Sequence, residues 1–238
     1  MCALAPENTW TSFILAARKG LEWIEFDIRL TKDNELIIFH DDSLERTSNG
    51  KGLVHEHSLS YIRKLDAGSW FDPIFSHEKI PIFSEIAPKL RDQHLTMNIE
   101  LKAPNDLGDT QLNHYEEVLV TKLVNFFKKS WPSEAPFPLI SSFHWSMLER
   151  VRKQFPKAPI GFLEDECSIE LIEKVKKTPN SALHCHYKSL NDKLLELTNK
   201  YEIPVLVYTV NDYVMAKKLL DKGVFGVFTD ALPAQEKT

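Results

Sequence analysis

Three cysteines, Cys2, Cys167 and Cys185, are all that the 238 residues contain. They are odd in number and far apart, with neither the CxxC pairing of a zinc site nor the density of a disulfide scaffold, so a reducing cytoplasm is the expected setting. No run of about 18 apolar residues occurs, and the opening MCALAPENT has no charged start followed by an apolar stretch; neither a membrane-spanning helix nor a cleaved leader is expected. The basic surplus that a polyanionic partner requires is also absent. The chain has 29 Lys and Arg against 34 Asp and Glu, a formal net charge of −5, and its basic residues are scattered, which speaks against nucleic acid. No internal repeat, low-complexity tract or linker divides it.

What is present is an ordinary globular composition, 43% hydrophobic and 26% charged, in a length that suits one barrel-sized domain covering residues 1–238. Asn8 or Thr9 can cap a first helix in which Trp10, Phe13, Ile14 and Ala17 recur at helical spacing and Gly20 is the stop. WIEFDIRL and ELIIFHD follow, joined by a turn at Lys32-Asp33-Asn34. So short a link joins only antiparallel strands, because a parallel pair needs a crossover of about a dozen residues. Residues 43 to 88 read as an irregular insertion with turn formers at Thr47-Ser48-Asn49-Gly50 and Asp72-Pro73 and one short helix near Leu59 to Leu65.

Beyond the insertion the pattern becomes regular: strand LTMNIEL, helix 114 to 129, strand LISSF, helix 145 to 155, strand PIGFL, helix 168 to 177, strand SALHCH, helix 191 to 201, strand PVLVYTV, helix 212 to 222 and strand VFGVFTD. Such alternation predicts an α/β fold of parallel strands wrapped by helices, a TIM-type (β/α)8 barrel. With the strand at 21 to 28 the parallel strands number seven. The chain opens on a helix where an eighth, first strand is expected.

Side chains alternate along a strand, so Ile24, Phe26 and Ile28 share one face of WIEFDIRL while Glu25 and Asp27 share the other. In LTMNIELK the same rule separates Met97, Ile99 and Leu101 from Asn98, Glu100 and Lys102. In a barrel the apolar face meets the helices, which leaves three carboxylates and an amine on the inner side. The hairpin brings His40 and Asp41 back alongside Glu25 and Asp27. Three carboxylates about 5 Å apart repel by roughly 3 kcal/mol per pair at an effective dielectric of about 20, and a bound cation resolves that. All-oxygen ligands favour Mg²⁺ or Ca²⁺ over zinc. The competing reading is a set of buried ion pairs, Glu100 with Lys102 and Asp27 with Arg29; it explains any one carboxylate well and all of them together poorly. His40 alone is as readily a strand-end histidine as a proton carrier. Phe143 and Tyr208 fall at strand ends, where barrel sites form, and stand as candidate substrate contacts against the simpler reading of core packing. His184-Cys185-His186 lacks further ligands at metal spacing, although His184 is a candidate inward-facing group.

The motifs APENT at 5 to 9, IEFDIRLTKD at 24 to 33, HDDSLERTSNGKG at 40 to 52, LDAGSWF at 65 to 71, NIELK at 98 to 102, SSF at 141 to 143, VYTVN at 207 to 211 and GVFGVFTD at 223 to 230 resemble, in this order, the glycerophosphodiester phosphodiesterase family, most closely its cytosolic bacterial members. The resemblance implies metal-dependent hydrolysis of glycerophosphodiesters, the deacylated headgroups of phospholipids, to sn-glycerol 3-phosphate and an alcohol. It places Glu25, Asp27 and Glu100 as ligands of a divalent cation, His40 as one of two acid/base histidines and Lys102 as a phosphate-side contact. In the family a strand ending in His-Arg-Gly precedes APENT, and here Met1-Cys2-Ala3 stands in that place. The resemblance therefore implies a chain without the second histidine, an arginine phosphate ligand and the eighth strand, and with impaired activity. Ile82-Phe83-Ser84 replaces Thr-Leu-Glu before Glu85, and Phe225 replaces an Asp. The alternatives are a related barrel that cleaves phosphosphingolipids or phosphatidylinositol, disfavoured by the lack of an apolar docking helix or Trp-rich lipid-facing loop, and a non-catalytic paralogue or fragment that binds metal and phosphodiester without cutting. The headgroup alcohol, the preferred cation and the oligomeric state are open at this level.

Overall fold

The computed structural model describes residues 1–231. They divide into two compact units, Cys2–Ala158 and a second that runs from residue 159 onward.

In the first unit, Thr9 starts α1 (Trp10–Arg18) with a capping box, its hydroxyl and that of Ser12 each accepting from the other's backbone N–H, which satisfies two donors that a helix start otherwise leaves open. Gly20, at φ 76°, takes the left-handed turn that ends it. β1 (Trp23–Leu30) pairs antiparallel with β2 (Leu36–Ile38), Ile28 against Ile38, as the short link requires. On its other edge β1 pairs parallel with β3 (Thr96–Leu101), and β3 pairs parallel with β4 (Leu139–Ser142), giving the order β2-β1-β3-β4. The apolar face of β1 is the back of the sheet. Phe26, fully buried, packs on Phe13 of α1 and on Phe83 with ring centroids 5.6 and 6.4 Å away.

The segment 43 to 88 is more ordered than expected. Leu44, Val54, Ile62, Leu65 and Ile80 form a small core with Ile37 and Phe39, around the short helix α2 (Leu59–Ile62). Its end is not irregular at all, because α3 (Phe83–Asp92) is a ten-residue helix with Pro88 inside it. Pro88 costs one backbone hydrogen bond, and burial of Phe83, Ile86, Ala87 and Leu90 on one face outweighs that loss. Ile82, at the capping position, offers no side-chain oxygen there. α4 (Asp109–Ser130) also starts five residues before its expected beginning, through the polar first turn DTQLN, where no apolar periodicity marks the boundary. α5 (Trp145–Gln154) follows β4.

The second unit continues the alternation with β5 (Ile160–Glu164), α6 (Ile169–Lys176), β6 (Ser181–His186), α7 (Asp192–Lys200), β7 (Val205–Tyr208), α8 (Tyr213–Asp221) and β8 (Gly226–Val227). Its strands are all parallel, in the order β5-β6-β7-β8. Ser168, Asn191 and Asp212 cap the three helices through their side chains. Parallel strands alternating with helices are the pattern of the TIM-type barrel class. Among the described residues no helix is long and apolar enough to cross a membrane.

α4 is fastened to β1 by Tyr115, whose nearly buried hydroxyl accepts the Leu30 N–H at 2.8 Å; burial pushes that phenol up to about 12. Tyr115→Phe keeps the ring and orphans the Leu30 donor, so denaturant unfolding is expected to show a loss of about 1–3 kcal/mol. An unchanged midpoint would mean that the hydroxyl holds nothing.

Candidate active site

The β1–β3 register sets Asp27 opposite Glu100 and Glu25 opposite Asn98. Because alternate side chains share a face, one carboxylate oxygen from each of Glu25, Asp27 and Glu100 comes within 4.8 Å of the others. At that spacing each pair repels by about 3 kcal/mol at an effective dielectric of 20. Asp27 and Glu100 are buried and Glu25 is exposed. Asn8 donates to Asp27 Oδ2 at 3.0 Å, while buried Oδ1 receives no hydrogen bond. The Lys102 ammonium stands 3.0 Å from Glu100 Oε1 and 3.7 Å from Asp27 Oδ1. One cation does not offset three anions, two of them buried. Burial, reinforced by the Asp27 charge and only partly opposed by Lys102, raises the Glu100 carboxyl to about 7. Burial works against the Lys102 ammonium too, yet Glu100 and Asp27 overcome it and hold the amine above its ordinary value.

Of the two ion pairs that offered a purely structural explanation, only Glu100 with Lys102 forms. Arg29 turns instead to Asp42, 2.5 Å away, and to the carbonyl of His40, reached at 2.8 and 2.6 Å. It anchors the chain just past β2 and leaves Asp27 to the cluster.

His40 lies where the hairpin predicts. The Phe39 N–H bonds the Asp27 carbonyl at 3.0 Å, after which the chain turns away, so the imidazole meets Lys102 rather than the carboxylates. Its Nε2 is 3.5 Å from Lys102 Nζ and its Nδ1 is 2.6 Å from Asp41 Oδ1. An ammonium can only donate, so Nε2 is the acceptor and Nδ1–H is the donor to Asp41. Arg46 grips both oxygens of Asp41 at 2.5 and 2.8 Å and both oxygens of Glu7 at 2.8 and 2.7 Å. Arg46, and next to it His40, hold the Asp41 carboxyl down at about 2 despite partial burial. These contacts of Glu7, Asn8 and Arg46 were not legible in the sequence, because nothing in spacing brings APENT to β1 or residue 46 to residue 7.

A cavity of about 390 Å³ opens on this group, with Arg29, His40, Glu100, Lys102, Phe143 and His144 among its lining. Phe143, 39% exposed, therefore sits where its strand-end position suggested. Tyr208 lies in the second unit, where its hydroxyl donates to Asp165 at 3.2 Å. His184, also in that unit, is fully buried, and burial depresses its imidazole to about 3. It packs so tightly on Gly161 that a Cβ there would fall 2.4 Å from its ring. Cys185 points away from it and is in contact with Cys167, which removes the run 184 to 186 from consideration as a metal site.

The family model described as the glycerophosphoryl diester phosphodiesterase family matches residues 2–233. A glycerophosphodiester phosphodiesterase of Caldanaerobacter subterraneus is 32% identical over 227 residues, covering 94% of this chain and 88% of its own length. One from Bacillus subtilis is 32% identical over 238 residues, covering 94% and 79%. Among solved structures, an Oleispira antarctica phosphodiesterase in complex with the product sn-glycerol-3-phosphate superposes with a TM-score of 0.88 at 31% identity, over 96% of this chain and 89% of that one.

The raised Glu100 carboxyl has a consequence for stability. Its folded value, about 7, lies above the ordinary 4.5, so its contribution is fully present below about pH 4.5 and is lost as pH rises through 7. Without divalent cation the protein is expected to lose on the order of 1–3 kcal/mol from this group between pH 5 and 8. Glu100→Gln should remove that decline in chelator-treated denaturation curves. The same decline in the variant would place its origin elsewhere.

Proposed function

Because the chain belongs to the glycerophosphoryl diester phosphodiesterase family, we propose that it hydrolyses glycerophosphodiesters to sn-glycerol 3-phosphate and an alcohol in the cavity at the ends of β1, β3 and β4, with Glu25, Asp27 and Glu100 holding one divalent cation. The observation that carries this reading is the convergence of three carboxylates within 4.8 Å beside an ammonium and an imidazole of assigned tautomer. The fit to a cation is good. The donors are all oxygen, buried Asp27 Oδ1 has no hydrogen bond of its own, and the group carries more negative charge than Lys102 offsets. Such a donor set suits Mg²⁺ or Ca²⁺. A cation bound there would neutralise charge that builds on the phosphoryl oxygens and orient the diester.

The chain's own groups supply the rest. Lys102, kept protonated by its carboxylate neighbours, turns to a phosphoryl oxygen the N–H that it otherwise points at His40 Nε2, as in charge-assisted phosphate recognition. His40 Nε2, released as Lys102 turns to the phosphoryl oxygen, accepts the proton of the attacking hydroxyl, and Asp41, fixed through Arg46 and Glu7, keeps the proton on Nδ1 so that Nε2 carries the lone pair. Phe143 gives the cavity an apolar wall for the glycerol carbons. This substrate class fits the salvage of phospholipid headgroups, and the small, odd number of cysteines in the sequence fits a reducing, cytoplasmic setting.

The test is release of sn-glycerol 3-phosphate from glycerophosphoethanolamine with Mg²⁺, with Ca²⁺ and with chelator. Turnover should vanish on chelation. Glu100→Gln should abolish the metal-dependent rate, and His40→Gln should lower kcat by about 10²- to 10⁴-fold. Undiminished turnover in chelator, or in Glu100→Gln, would overturn the ligand assignment.

A further inference from the structure

Two buried carboxylates among the described residues, Glu78 and Glu116, have no part in the proposed chemistry, and of these Glu116 pairs with a residue that lines the cavity. Glu116 of α4 is only 5% exposed, and both its oxygens are engaged: Oε1 is 3.0 Å from His144 Nδ1 and Oε2 accepts from Ser146 Oγ at 2.6 Å. Burying a carboxylate costs several kcal/mol unless it is paired, so this pairing is a strong constraint on the ring. His144 occupies the capping position of α5, yet its side chain makes no cap hydrogen bond and turns to Glu116 instead. Its backbone is fixed as well. The His144 N–H bonds Ser142 Oγ at 3.0 Å, and that hydroxyl donates to the Leu101 carbonyl at 2.7 Å, tying the start of α5 to the end of β3 beside Glu100 and Lys102.

The order β2-β1-β3-β4 places His40, just past β2, and His144, just past β4, on opposite sides of the strand pair that carries Glu25, Asp27 and Glu100. Both line the same cavity, and the His144 side chain is 30% exposed. Each imidazole has a carboxylate on Nδ1, which leaves Nε2 for the cavity side, where that of His40 faces Lys102 at 3.5 Å.

We infer that His144 is a second catalytic histidine, whose Nε2–H protonates the oxygen of the departing alcohol, with Glu116 as its positioning carboxylate. The inference rests on the diesterase reading. In the step, the entering hydroxyl oxygen, from water or from the adjacent glycerol hydroxyl, bonds to phosphorus and gives its proton to His40 Nε2. The bond from phosphorus to the alcohol oxygen breaks, that oxygen keeps the electron pair, and it takes the Nε2 proton of doubly protonated His144. The ring is left neutral with Nδ1–H still donated to Glu116.

A leaving group that departs well without a proton does not need this service. The experiment therefore compares glycerophosphoethanolamine with the p-nitrophenyl ester of glycerol 3-phosphate, in the full chain with saturating Mg²⁺. His144→Asn, whose amide reaches the Nδ1 position and keeps the Glu116 contact, should lose about 10²- to 10⁴-fold in kcat on the ethanolamine ester and only a few-fold on the aryl ester. Glu116→Gln should show the same selectivity with a smaller loss. If thermal melting shows that His144→Asn is unfolded, His144→Gln replaces it and should show the same selective loss on the alkyl ester, because a carboxamide N–H does not transfer its proton. Equal losses on both esters, or no loss on either, would overturn the inference while leaving the diesterase reading standing. Failure of the unaltered chain to cleave either ester would overturn both.

Discussion

The register between β1 and β3 is the constraint on which the site depends. It is set from the back of the sheet, where Phe26, Ile28, Ile99 and Leu101 are essentially fully buried, because a slip of one residue would send that whole apolar set to the other face. Hydrophobic burial of four large side chains, each contributing about 1.5–3 kcal/mol, exceeds the repulsion it imposes on the front, where Asp27 and Glu100 are forced opposite each other. The site is in this sense a consequence of core packing: the apolar face chooses the register, and the charged face must find cations. Lys102 is one such cation, and the remaining negative charge explains both the raised carboxyl of Glu100 and the suitability of the cluster for a divalent ion.

A second layer of contacts determines how the surrounding groups present themselves. Arg29 could have neutralised Asp27 and is instead committed to Asp42 and the His40 carbonyl. The cluster therefore stays short of positive charge, and the backbone of His40 is pinned. Asp41, Arg46 and Glu7 then set the orientation of His40 through charge-assisted hydrogen bonds, which are stronger and more directional than neutral ones. The segment APENT thus has a purpose beyond starting α1: Glu7 ends the chain of contacts that leads to His40, and Asn8 holds one oxygen of Asp27.

Much of this was legible in the sequence because it follows from local periodicity. Alternation in WIEFDIRL and LTMNIELK identified the carboxylate face, and the short link between the two strands identified the hairpin that returns His40. What was not legible depends on contacts distant in the chain. The pairing of Glu7 with Arg46 and of Glu116 with His144 has no spacing rule behind it, and neither does the choice of Arg29 for Asp42. α3 had the apolar spacing of a helix at Phe83, Ile86, Ala87 and Leu90, but Pro88 and the missing cap at Ile82 masked it. Tertiary burial outweighed a local preference there, as it commonly does. The polar first turn of α4 shows the complementary case, a helix that extends where nothing apolar announces it.

The central claim is that Glu25, Asp27 and Glu100 converge in order to hold a divalent cation. The most direct measurement is the anomalous diffraction signal of Mn²⁺ in crystals of this chain, since Mn²⁺ takes the same oxygen donors as Mg²⁺ and Ca²⁺. The account predicts one strong peak within about 2.0–2.6 Å of a carboxylate oxygen of each of the three residues. A peak at some other group, or none at saturating Mn²⁺, would contradict it.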